Sequence, residues 1–216
     1  MNGLMMTRNE RSEPVTETLL ARNRDWAERM RREDPDYFRR HSAPQHPAYF
    51  WIGCCDSRVP ANVVAGLAPG EIFVHRNIAN IVHASDLNLL SALEYAVDAL
   101  KIRKIVLCGH DSCGGVRAAS EDAPHGLCDH WLEPIRRLAH RETEELATIP
   151  REDRRLDRLA ELNVMDGVRR LAETPILRRA WDRGDPVEVH GMMYGLQDGR
   201  LRALGVSLDG RNVAEV

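Results

Sequence analysis

The chain has 216 residues, 43% hydrophobic and 29% charged, with 15 Gly and 11 Pro, which suits one packed domain with or without an arm and excludes disordered, collagen-like and low-complexity classes. Thirty Lys and Arg against 33 Asp and Glu leave a formal charge of −3 and no long basic run, so nucleic acid is excluded as the main partner. There is no 18-residue apolar stretch, and Met1 to Thr16 lacks the apolar core of a signal peptide, so the expectation is a cytoplasmic protein without a membrane partner.

Residues 1–45 read as an N-terminal helical arm. A helix is expected around Thr16 to Arg32, where Leu19, Leu20, Trp26 and Met30 make a sparse apolar stripe that ends at Asp34-Pro35. So sparse a stripe is expected to pack on something else. Residues 46–216 read as one α/β domain. The run Ala48 to Gly53 predicts a first strand buried on both faces, and others follow at Glu71–Val74, Lys104–Cys108 and Val187–Met193, with a weaker one at Leu201–Val206 after the Asp198-Gly199 turn. Between them, Asp86 can cap a helix whose Leu90, Leu93, Val97 and Leu100 share a face. Arg151 to Leu171 repeats the pattern with Leu156, Leu159, Leu162, Val168 and Leu171. Strands separated by helices imply crossovers, hence a mainly parallel central sheet flanked by helices.

Two segments stand at the C-terminal ends of predicted strands: Cys54-Cys55-Asp56-Ser57-Arg58 and Gly109-His110-Asp111-Ser112-Cys113-Gly114-Gly115. Ligands of open α/β sheets sit beyond those ends, where the strand order reverses, so the two segments meet if their strands are neighbours. Five cysteines in a reducing compartment favour metal binding or catalysis over a disulfide framework. Thiolate and imidazole suit zinc. His110 and Cys113 offer one of each within a turn, Cys54 would be the third ligand, and a helix starting at Gly114 would favour the Cys113 thiolate.

Strand alternation, if it continues, points Cys54 and Asp56 the same way and Cys55 to the other side, as a core or helix-packing thiol. Three protein ligands leave a fourth position for water or for Asp56. Two thiolates cancel the charge of zinc and acidify water less than neutral ligands would, so a hydrogen-bond acceptor is needed. Asp56, oriented and kept ionised by Arg58, can serve. Cys108 and Cys128 read as structural, as do His75, His83 and His190.

With these motifs in place, the sequence resembles the β-class carbonic anhydrases over roughly Asp34 to Val206. The likeness includes Trp51-Ile52-Gly53, the run Pro69 to Asn77, the 55 residues between Cys54 and His110, and the stretch Gly191 to Asp198. The resemblance implies zinc held by Cys54, His110 and Cys113, with Asp56 and Arg58 as the catalytic dyad of a reversible hydration of carbon dioxide to bicarbonate. It also implies a homodimer or dimer of dimers, with the arm around a partner subunit, and assigns Gln45 and Gly114 to substrate binding. One subgroup binds bicarbonate at a second pocket and closes its site with the aspartate on zinc. The matching positions here are Trp51, Gly53, Val59, Arg76 and Tyr95, which implies autoinhibition governed by pH and bicarbonate.

Cys55 and the pair Asp111-Ser112 depart from the common pattern; Asp111 reads as a surface residue. Two other readings use the same residues: hydrolysis of carbonyl sulfide or carbon disulfide, and a non-catalytic structural zinc or thiol redox protein. The Asp56 and Arg58 pair is superfluous to the last.

Overall fold

Helix α1 (Val15–Glu33) carries Glu17 in its first turn and Arg31 and Arg32 in its last, the charge order that complements a helix dipole. The structure is a computed structural model that describes residues 15–212, and these divide into two units, 15–44 and 45–212. In the first, Asp34-Pro35 ends α1 and a short helix α2 (Tyr37–His41) follows. Trp26 meets Tyr37 and Phe38 edge-on, with ring centroids 6.2 and 5.6 Å away, and Arg31 lies over Phe38. Leu19 and Leu20 stay exposed.

The second unit runs β1 (Tyr49–Cys54), α3 (Ala61–Ala65), β2 (Ile72–Asn77), a 3-10 turn at Ile78–Asn80, and α4 (Leu87–Glu94), continued by a π turn at Tyr95–Ala99. It proceeds through β3 (Lys104–His110), α5 (Gly114–Ser120), α6 (Leu127–Arg141), α7 (Thr143–Ala147), α8 (Glu152–Ala172), α9 (Pro175–Asp182), β4 (Glu188–Tyr194) and β5 (Leu201–Leu208). The strand order is β2-β1-β3-β4-β5, with parallel pairing except between β4 and β5. The α/β class and mainly parallel sheet expected from the sequence are thus found.

The Asp86 carboxylate caps α4 by accepting from the N–H groups of Asn88 and Leu89. The helix at 127–141 is marked only by reading Cys128 as a helix residue, and those at 143–147 and 175–182 have no counterpart in the sequence reading. In α6 the buried side is confined to Leu132, Pro134, Ile135 and Leu138 on a polar helix, so the apolar signal is thin. In α9 the signal was there: Thr174 caps the helix and Pro175 opens it. Strand β2 also runs past Val74 to Asn77, because Ile52, Gly53 and Cys54 pair with His75, Arg76 and Asn77.

One face of the sheet builds the main core from Phe50, Ile52, Leu107, Val189 and the helices above them. The other carries a smaller cluster of Trp51, Ala61, Ile72, Val106 and Cys108. Helix α8 lies very close to β3: a Cβ on Gly167 would stand 2.5 Å from the Leu107 side chain, so that position has room only for glycine. The chain goes from β1 to β2 on one side and then to β3 on the other, so the order reverses between β1 and β3.

Candidate metal centre

Cys54 is the last residue of β1 and His110 the last of β3, on neighbouring strands, while Cys113 is the N-cap residue of α5. The topology brings all three together. Their ligand atoms lie within 4.8 Å of one another and all three residues are buried. The two sulfur atoms are 4.0 Å apart.

His110 Nδ1 lies 2.9 Å from the Asp111 carbonyl oxygen, an acceptor only, which fixes the proton on Nδ1 and leaves the Nε2 lone pair toward the sulfurs. Nε2 is buried and has no hydrogen-bond partner among the described residues. Two thiols, an imidazole with a free lone pair and a second hydrogen bond that orients it make a donor set that fits zinc with one position left over.

The paired sulfurs titrate as a unit. The hydrogen bond between the two sulfurs holds the Cys54 thiol low, against the opposing effect of burial. Cys113 is pushed up by the same bond and by burial, although the N–H groups of Val116 and Gly115 pull the other way. That pull is the helix-start effect expected for Cys113. Burial works to lower the His110 pKa, but the nearby charges of Cys54 and Asp56 and the bond to the Asp111 carbonyl raise it overall.

Asp56 is gripped by Arg58. Oδ1 accepts from the Arg58 backbone N–H and from Nε, both at 2.9 Å, and Oδ2 accepts from Nη2 at 2.7 Å. These bonds hold the carboxyl well below the usual carboxylate range. Oδ2 is 3.8 Å from His110 Nε2, beyond hydrogen-bond length, so the carboxylate stands beside the three-ligand group.

Further residues hold the two loops. Arg76 donates from Nε to the Cys54 carbonyl at 2.7 Å and from Nη2 to the Asp56 carbonyl at 2.5 Å, and the Cys55 N–H donates to the Asn77 carbonyl. In the second loop Ser112 has a φ of +53° and its N–H donates to Asp157 Oδ1 at 2.9 Å, while the Asp111 N–H donates to the Tyr194 carbonyl. Asp157 was not found from sequence; it lies 45 residues away on the polar side of α8. Gly115 is fixed by close approach, since a Cβ there would be 2.9 Å from Ala79.

Of the five residues expected to form a second pocket, Trp51, Gly53 and Val59 are buried and Arg76 is half-buried. Gly53 pairs with Arg76 and lies against the Trp51 ring. Tyr95 is not brought to them. It is exposed and stacks on Phe73, which packs on the Phe50 side of the sheet; strand alternation puts Trp51 on the other face. The tyrosines packed on the Trp51 face are Tyr49 and Tyr194. Gln45 and Gly114 are exposed, and a Cβ on Gly114 would meet nothing within 4 Å.

The remaining assignments change in part. Cys55 is exposed rather than packed, because β1 ends at Cys54 and alternation stops there. Cys128 lies on α6 but is exposed too, which removes its structural reading. Cys108 is buried and burial pushes its thiol up to about 12. His75 is buried, His83 stacks on Trp131, and His190 contacts Glu188 and Ser207. Asp111 is half-buried, and burial together with the charge of Asp157 raises its pKa.

Fold and site together define a mainly parallel-sheet α/β protein with a Cys-His-Cys group that could hold a metal beside an aspartate–arginine pair. Residues 49–201 match the family model described as carbonic anhydrase. A carbonic anhydrase of Emericella nidulans is 40% identical over 198 residues, covering 92% of this chain and 87% of that protein. One of Saccharomyces cerevisiae is 34% identical, covering 86% and 87%. Among solved structures, a β-carbonic anhydrase of Sordaria macrospora, one of two described as tetrameric, superposes with a TM-score of 0.85 at 40% identity, covering 91% of this chain and all of that one. The Coccomyxa β-carbonic anhydrase in complex with acetazolamide gives 0.87 at 36% identity, covering 94% and 91%. The chain belongs to the β-class carbonic anhydrases, a family of lyases, as its motifs implied.

Proposed function

We propose that the chain catalyses the zinc-dependent reversible hydration of carbon dioxide to bicarbonate and a proton. Cys54, His110 and Cys113 are the ligands in this reading, and Asp56 and Arg58 the catalytic pair. The observation that carries it is the Asp56 carboxylate, locked by Arg58 with Oδ2 3.8 Å from the unpartnered Nε2 of His110. A protein that used the metal for structure alone has no need of that pair.

Zinc, when bound, supplies a Lewis acid that makes water a nucleophile near neutral pH. The protein supplies orientation and proton handling. Arg58 occupies Oδ1 with two donors and Oδ2 with one, so the free lone pair of Oδ2 faces the ligand group and accepts a hydrogen bond from the attacking water. Because Arg58 keeps Asp56 ionised, that acceptor persists at neutral and mildly acidic pH. Gln45 and Gly114 border the substrate in this reading, and the proton leaves to buffer.

The tetrameric relatives from Sordaria macrospora support an oligomer. No described helix is long and apolar enough to cross a membrane. Autoinhibition is proposed with it. The Arg58 side chain is 55% exposed, so its grip on Asp56 is open to competition, and a freed Asp56 could turn toward the ligand group. Trp51, Gly53, Val59 and Arg76, without Tyr95, are the residues proposed to receive bicarbonate beside it.

Stopped-flow hydration between pH 7 and 9, with zinc measured on the same sample, tests the reading. Activity that tracks zinc content is expected, with carbonyl sulfide turned over more slowly. A fully active metal-free sample overturns the proposal. Flat activity across that pH range, unaffected by added bicarbonate, removes the autoinhibition alone.

A further inference from the structure

Helices α5, α6, α7 and α8 border an open cavity of about 430 Å³, within the size range of small-molecule sites. Its floor is apolar: Ala119, Leu146, Leu156 and Leu159 are all buried. Arg136 and Arg155 also line it. The Nη2 of Arg136 donates to Asp129, but its Nε is buried and has no acceptor among the described residues. Arg155 is half-buried and, among the described residues, has no ion-pair partner. Glu152, also on the lining, is 3.7 Å from Arg117.

A guanidinium is best satisfied by a carboxylate. Among the described residues Arg58, Arg141, Arg158, Arg170 and Arg183 are paired with carboxylates and Arg136 with Asp129, whereas Arg155 is not. Arg155 is unpaired over the apolar floor, and Arg136, whose Nε is out of reach of the cavity, can offer only its terminal guanidinium nitrogens. We infer that the cavity is a binding site for a small monocarboxylate with an apolar tail, the carboxylate meeting Arg155 and Arg136 and the tail lying on the leucines. It opens off Ala119 and Ser120, at the far end of the helix that Cys113 caps, and uses none of the residues assigned to hydration.

The test is calorimetric titration of the zinc-loaded enzyme with hexanoate, acetate and hexanamide. Hexanoate is expected to bind, with acetate and hexanamide each weaker by about tenfold or more, since one lacks the tail and the other the charge. Arg155→Gln is expected to weaken hexanoate by about tenfold or more while hydration activity stays at the wild-type level, which also reports that the variant is folded. If Arg155→Gln loses activity, Arg136→Gln carries the same comparison. Absence of hexanoate binding overturns the inference. So does binding that the arginine variants leave unchanged and azide displaces, which would place the carboxylate at the metal centre.

Discussion

The two loops that converge on the metal centre are held in different ways. The first, after β1, carries its chemistry locally: Asp56 and Arg58 are two residues apart and grip each other, and Arg76 on the adjacent strand fixes the backbone beneath them. The second, after β3, has no such internal pair. Its left-handed Ser112 is anchored by Asp157 from α8, and its Asp111 by the last residue of β4. The first loop therefore presents a carboxylate held by an exposed arginine, and the second a candidate ligand frame built into the core. In the proposed reading, function is separated along the same line, with proton handling on one loop and most of the ligand set on the other.

Substitutions can break this division at several depths. Cys54→Ser, which removes the only ligand contributed by the first loop, is expected to cut hydration by more than about a hundredfold together with zinc content, exceeding the loss of an outer partner. Hydration rate and metal analysis on one sample check it. Asp56→Asn keeps the shape but removes the acceptor charge, and is expected to slow hydration by about a hundredfold to ten-thousandfold with zinc retained, the range for a lost acid–base group. Loss of zinc in that variant would mean that the loops are not separable in this way.

Asp157→Ala is expected to weaken zinc affinity or activity by about ten- to a hundredfold, read by chelator competition, with Asp157→Asn milder because it keeps an acceptor oxygen. A smaller effect arises beneath the second loop. Burial pushes the Cys108 thiol up to about 12, against about 8.5 unfolded, so the stability it contributes is complete below pH 8.5 and is lost as the pH rises toward 12. Urea unfolding at pH 8 and pH 10 is expected to show wild type losing about 2 kcal/mol more than Cys108→Ala between the two values.

How far each loop could be read in advance follows from the same contrast. Cys54, Asp56 and Arg58 lie within five residues, and His110 and Cys113 within four, so their chemistry is written at short range. The capped start of α4 at Asp86 and the alternation of β1 are local in the same sense. Asp157 is not, since it sits among charged residues of a surface helix and nothing near it marks a partner. Tyr95 misled for the complementary reason: a matching residue type gave no information about the sheet face, and Phe73 holds it on the wrong one. Cys55 followed a strand rule one residue beyond the end of the strand.

Residue types and short spacings by themselves determined the α/β class, the candidate ligands and the aspartate–arginine pair, because period, capping and donor chemistry act over a few residues. The tertiary structure alone decided that β1 and β3 are neighbours at the reversal of strand order, which face each side chain takes, and that Asp157 supports Ser112. Those outcomes depend on contacts between segments tens of residues apart, whose free energy is set by packing and which no local pattern encodes.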